Sequence, residues 1–225
     1  MVTVPWQRLF KLLGFVTVIF LCLSVLLTLP LRWFNPSTTA FMLADAAWQE
    51  NRSSYQWVPR EQVASVMFAA VLSAEDQRFF DHWGLDFTSI KSALGEERNR
   101  SRGASTISQQ LTKNLYLWSG RSWLRKGLEA WLTVCLELFV SKQRILEIYV
   151  NVVEFGPGIY GVHQASQHFF DKSPRQLNAI DASLLAAVLP NPKNYSALVP
   201  SEYVWNRAQD IRRWMPDMAL LYQEN

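Results

Sequence analysis

From residue 12 to residue 31 the chain carries no charged side chain, after which it breaks into short amphipathic repeats. A run of about twenty apolar positions suits the roughly 30 Å hydrocarbon core of a bilayer. A buried core helix or a cleaved signal sequence shows a similar run. A signal core is usually about 7–15 residues, however, and no small-x-small cleavage site follows this one. The run is therefore read as a retained transmembrane helix. Arg8 and Lys11 precede it and Arg32 follows, a balance that leans toward an N-terminus on the inside. The expected organisation is a cytoplasmic N-terminus over 1–11, a span over 12–31, a juxtamembrane connector over 32–58 and one folded domain over 59–225 on the outer face.

Beyond Pro59, the residues Val63, Val66, Met67, Ala70, Val71 and Ala74 recur at helical spacing. Glu75 falls about 120° from Val63 on that wheel, at the flank of the apolar stripe. Ile107, Leu111 and Leu115 share one face of the next helix, with Thr106, Gln110 and Lys113 as a polar stripe beside it. Thr106-x-x-Gln109 has the form of a capping box. A helix over 123–140 is expected to bury Leu124, Leu128, Trp131, Leu132, Cys135, Leu138 and Phe139, with Arg125 and Lys126 meeting Glu129 on its surface. Ile145, Leu146, Tyr149 and Val152 mark another helix, which carries Glu147 and Asn151. Three glycines between Phe155 and Gly161 then allow a tight loop with close backbone approach. Helices over 162–170 and 179–189 follow, and a Trp-rich segment over 203–222 is interrupted by Pro216. No alternation is long enough to build a large sheet, so the fold class is mainly α.

At 225 residues with a formal charge of +3, the chain holds one ordinary domain plus an anchor, and bulk charge does not indicate nucleic acid. Cys22 lies in the apolar run and Cys135 in a helix pattern, which makes a disulfide between them improbable. His82, His163 and His168 lack metal-site spacing. Charge is distributed unevenly: Arg98, Arg100, Arg102, Lys113, Arg121, Arg125 and Lys126 fall in a stretch with no acid. Such a field suits an anionic group such as a pyrophosphate, or anionic lipid headgroups. Glu75, at the end of an apolar helix, is partly desolvated. That raises a carboxylate pKa and suits it to proton transfer near neutral pH.

Five segments in order resemble the five motifs of the family-51 peptidoglycan glycosyltransferases. They are Glu75-Asp76-x-x-Phe79-x-x-His82-x-Gly84-x-Asp86; then Gly103-Ala104-Ser105-Thr106-Ile107-x-Gln109-Gln110-x-x-Lys113-Asn114; then Arg125-Lys126-x-x-Glu129. The fourth runs from Lys142 through Ile145-Leu146-Glu147-x-Tyr149-x-Asn151 to Gly161, and the fifth is Leu184-Leu185-Ala186-Ala187 with Pro190, Pro192 and Tyr195. The short chain with a single anchor is similar to the monofunctional members. No Ser-x-x-Lys or Lys-Thr-Gly motif is present, so transpeptidase activity is not expected. Asp181 stands where the pattern usually has Glu, and Val150 where it has Leu.

The resemblance implies a lysozyme-like, mainly α-helical domain with a small membrane-proximal jaw, preceded by one transmembrane helix in the bacterial inner membrane. It implies polymerisation of lipid II onto a growing glycan strand, with Glu75 and Glu129 catalytic. Glu129 would orient Arg125 and Lys126 or hold a divalent cation (Mg or Mn) at the pyrophosphate; no organic cofactor is implied. Thr106, Gln110 and Lys113 would bind phosphate and sugar oxygens, while Asp76, Phe79 and His82 would shape the donor site. Asn114, Glu147 and Asn151 join them as expected substrate-binding positions. Expected partners are membrane lipid and proteins of cell division or cell-wall synthesis, with no nucleic acid. Two other readings share parts of this pattern. A lytic glycan-cleaving enzyme would need an essential Glu but no lipid-pyrophosphate site, and a scaffold of the division machinery would need neither Glu75 nor Glu129.

Overall fold

The structure is a computed structural model that describes residues 6–51, 55–88, 91, 105–120 and 122–225. Arg98, Arg100, Arg102, Gly103, Ala104 and Arg121, which the sequence singled out, lie outside the described residues. Helix α1 (Trp6–Thr28) continues through a 3-10 turn (Leu29–Arg32) and begins well before the expected residue 12. Its apolar side chains are almost all exposed. Only Ser24 and Thr28 are buried, and both hydroxyls donate back to carbonyls one turn earlier. A helix of this length with an apolar surface left almost wholly exposed fits a single-pass membrane anchor. The connector is more ordered than its weak periodicity predicted. It holds α2 (Ala40–Ala44), capped by Thr39, and α3 (Ala46–Asn51).

The core centres on α4 (Ser65–Glu75). Periodicity predicts one apolar stripe on this helix, yet every residue from Met67 to Ala74 is buried. α9 (Ala179–Val188) and α10 (Glu202–Glu224) pack against it, with Phe68 and Tyr222 stacked at 4.9 Å. Pro216 does not interrupt α10. The helix runs through it and forgoes only the one backbone hydrogen bond that proline cannot donate.

A second group of helices comprises α5 (Ile107–Tyr116), α6 (Trp123–Phe139) and α7 (Lys142–Val152), with α5 touching both of the others. α8 (Gly161–Phe170) follows a two-stranded antiparallel hairpin, β1 (Glu154–Gly156) and β2 (Ile159–Tyr160). At the hairpin turn Gly158 has φ +70, and a Cβ there would come within 2.6 Å of the Ala47 backbone, which explains the glycine.

α6 departs from the expected burial. Its inward face is Glu129, Leu132, Thr133, Cys135 and Leu136, whereas Leu124 (71 % exposed), Trp131 and Leu138 face outward. The outward face lies beside α1: the Trp131 indole donates to Ser24 Oγ at 2.9 Å, and its ring sits 5.7 Å from that of Phe20.

Candidate active site

Glu75 is the last residue of α4, a helix buried from Met67 to Ala74. Two side chains from distant elements grip its carboxylate. Gln110 on α5 donates from Nε2 to Oε2 at 2.8 Å, and Arg207 on α10 donates from Nη2 to Oε1 at 3.2 Å. Arg207 also reaches the Ala74 carbonyl at 3.3 Å. Burial pushes the Glu75 pKa above the ordinary carboxylate value. Gln110 and Arg207 pull against that rise, and the nearby Asp76 adds to it. Behind Gln110, the Tyr149 hydroxyl donates to Gln110 Oε1 at 2.8 Å. Burial holds that phenol well above its usual pKa, so it stays a donor.

Lys113 is one turn along α5 from Gln110. Among the described residues its ammonium meets the face of Phe41, 5.3 Å away, and no carboxylate pairs with it. Burial lowers its pKa, the Glu129 charge works against that, and Arg125 and Lys126 reinforce it.

Glu129 is buried on α6, only 2 % exposed. Arg125 Nη1 lies 2.6 Å from Oε2, and Lys126 Nζ 2.5 Å from Oε1. The sequence reading placed this trio on the surface, but only Lys126 is substantially open, at 42 %. Ser105 links the two carboxylate centres: its carbonyl accepts from Gln110 Nε2 at 3.4 Å, and its hydroxyl from Lys126 Nζ at 3.5 Å. Both Glu129 oxygens are thus committed to cations. Among the described residues no three His, Cys, Asp or Glu side chains converge as metal ligands would.

The rest of the first motif turns inward. The Gly84 N–H donates to His82 Nδ1 at 3.1 Å, so Nε2 carries the hydrogen that faces Asp76 Oδ1 at 3.0 Å. Asp76 also accepts the Ile107 N–H at 3.1 Å, at the positive end of α5. Thr106 caps that helix in the predicted box with Gln109, and its own hydrogen goes to Gly84 O at 2.6 Å. Phe79 is buried under the Lys142 ammonium, which lies 4.4 Å from its ring. Asp76, Phe79, His82 and Thr106 therefore brace the junction of α4 and α5. They were expected at the donor and phosphate positions; here Asp76, His82 and Thr106 hydrogen-bond within the protein and Phe79 is buried.

Glu147 and Asn151, also expected to bind substrate, bond to the connector and to Arg60 just beyond it. Asn151 is fully buried: Oδ1 accepts Val58 N–H at 2.9 Å, and Nδ2 donates to Val58 O and Glu147 O at 3.0 and 2.9 Å. Glu147 accepts Arg60 N–H at 3.0 Å and pairs with Arg144 at 2.8 Å. Asn114 is buried on α5. Asp181 completes the cap of α9 with Asn178 and pairs with Lys172. Sequence reasoning missed Arg207 and took Tyr149 for plain core. Tyr149 lay within a quoted motif, so that motif was the available signal. Nothing in the local pattern around Arg207 marks it.

A family model described as transglycosylase matches residues 43–216. The chain is similar to proteins named biosynthetic peptidoglycan transglycosylase. That of Stutzerimonas stutzeri is 51 % identical over 206 residues, covering 88 % of this chain and 85 % of the relative. That of Pectobacterium carotovorum is 52 % identical over 181 residues, covering 77 % and 74 %. That of Pasteurella multocida is 47 % identical over 218 residues, covering 93 % and 89 %.

Proposed function

This chain belongs to the transglycosylase family, and from that membership we propose that it polymerises lipid II, undecaprenyl-pyrophosphoryl-MurNAc(pentapeptide)-GlcNAc, with Glu75 as the base. It is a peptidoglycan glycosyltransferase with a lysozyme-like helical catalytic domain. In the proposed step the 4-hydroxyl of the incoming lipid-linked unit attacks the anomeric carbon at the reducing end of the growing chain. A new C–O bond forms with inversion to a β-1,4 linkage, and the bond to the lipid pyrophosphate breaks. The hydroxyl proton goes to Glu75, and the electron pair leaves with the pyrophosphate.

The observation that carries this reading is the state of Glu75. It is a carboxylate at the end of a buried helix, held at both oxygens, with its pKa raised by burial. A base of that kind accepts a proton readily near neutral pH. Lys113, Arg125 and Lys126 supply positive charge where negative charge develops on the leaving group, and preorganised charge of this sort is among the largest contributions to catalysis. Glu129 holds Arg125 and Lys126 in place. The cations that meet the pyrophosphate in this reading are side chains. Arg8 and Lys11 stay on the cytoplasmic side of α1, which puts the catalytic domain on the outer face, where both substrates lie in the lipid plane.

Polymerisation of purified lipid II by the full chain in detergent, beside Glu75→Gln, tests the reading. Polymer from wild type alone is the expected result. Equal polymer from a folded Glu75→Gln protein would move the base elsewhere, and release of fragments from cell-wall sacculi without polymer would replace synthesis by lysis.

A further inference from the structure

α10 packs its buried face, Val204, Ala208, Ile211 and Met215, against the core. Arg207 belongs to that face by position, and its side chain is only 12 % exposed. Burying a guanidinium among apolar neighbours is costly unless a partner takes up its charge. Its partner here is the Glu75 carboxylate, itself 12 % exposed, at the end of another helix 132 positions earlier in the chain. The same nitrogen also bonds the Ala74 carbonyl, so the guanidinium is registered on the last turn of α4 as well as on the carboxylate.

We infer that Arg207 is a positioning residue for the glycosyl transfer, fixing the plane of the Glu75 carboxylate and keeping that carboxylate ionised within a buried site. The inference rests on the reading of Glu75 as the base. Arg207 holds Oε1 while Gln110 holds Oε2, so rotation of the carboxylate would break a bond at each oxygen. Each oxygen retains a lone pair for the incoming proton.

The groups acting on Glu75 come from four helices. Asp76 at the end of α4 and Tyr149 on α7 present negative or neutral oxygen. Gln110 and Lys113 on α5 present a donor and a cation, and Arg207 on α10 presents a cation. Of the two cations, Arg207 is the one hydrogen-bonded to the carboxylate. Without it, burial and Asp76 act with less opposition, and the carboxyl holds its proton to higher pH. A base that keeps its proton cannot take one from the acceptor hydroxyl. The C-terminal helix, which carries none of the catalytic residues the sequence singled out, thereby sets the pH range in which the enzyme works.

The test is the pH dependence of kcat with lipid II in detergent, from about pH 5.5 to 9, for the full-length wild type, Arg207→Met and Arg207→Lys. Thermal melts establish that each variant is folded, and Met preserves most of the side-chain volume. Losing an opposite charge at this distance is expected to move the acid limb of Arg207→Met upward by about one unit or more. That corresponds to a loss of about tenfold on the acid limb, shrinking toward the alkaline plateau, with little change in KM. Arg207→Lys is expected to recover most of the shift. An unmoved acid limb in a folded Arg207→Met protein, or a loss of the same factor at every pH, would overturn the inference. Glu75→Gln run alongside separates the two failures: wild-type kcat in that variant would remove Glu75 as base, and this inference with it.

Discussion

The Tyr149 hydroxyl donates to Gln110 Oε1, and this fixes which end of the Gln110 amide faces Glu75. An amide flipped by 180° would present its oxygen to a carboxylate oxygen, a repulsive arrangement. Tyr149→Phe removes the donor that prevents the flip. A hydrogen bond of this kind is worth about 1 kcal/mol, so kcat is expected to fall by about fivefold or more while the fold is kept. Steady-state polymerisation checks this, and wild-type kcat in Tyr149→Phe would show that the amide needs no outside orientation.

Breaking the buried trio on α6 acts on charge placement. Glu129→Gln leaves Arg125 and Lys126 without the carboxylate that draws them together. Losing such preorganised charge is expected to lower kcat by about 100-fold or more. Lys126→Ala removes the more exposed member and is expected to cost activity with little loss of melting temperature. Kinetics paired with thermal unfolding separates the two effects.

A cluster away from the active site predicts a pH-dependent stability. Asp45 accepts from Tyr160 and Lys193, both at 2.9 Å, and Lys193 lies 3.8 Å from Glu154. Burial pushes the Glu154 pKa up to about 7, with Lys193 opposing and Asp45 adding to the rise. The folded protein therefore binds this proton more tightly than the unfolded chain does. The associated stability is fully present below the ordinary carboxylate value of about 4.5 and is lost as pH rises toward 7. Melting temperatures are expected to decline over that window, and Glu154→Gln is expected to flatten the decline. A wild-type slope in the variant would remove Glu154 as its cause.

Asn151 distinguishes a structural clip from a ligand. Asn151→Ala strands the buried Val58 N–H and C=O, a loss of about 2–3 kcal/mol. The expected outcome is a lower midpoint in denaturant with kcat per folded molecule close to wild type. A normal midpoint with a raised KM for lipid II would return Asn151 to the substrate site.

Much of the frame was legible because it is local. Thr106 and Gln109 form the capping box that their spacing predicted, and the apolar run over 12–31 lies within a single exposed helix. The Glu129 trio was legible in spacing but not in burial. α6 is apolar on two sides, one against the core and one beside α1, and periodicity cannot tell an apolar face turned to an anchor from one turned to the interior. Leu124 and Leu138 were misplaced for that reason. Arg207 was out of reach for a different one, because its partner is defined only once α10 packs on α4. Asp76 and His82 sit among chemically suggestive neighbours, and only the fold shows that their hydrogen bonds close on each other and on Ile107.

The 2.6 Å bond from Thr106 to the Gly84 carbonyl joins two points 22 residues apart, and Asp76 fastens the start of α5 beside it. The chain leaves the catalytic frame and re-enters it through one neck. The register of α4 against α5, and with it the alignment of Glu75 and Gln110, is held by these two bonds.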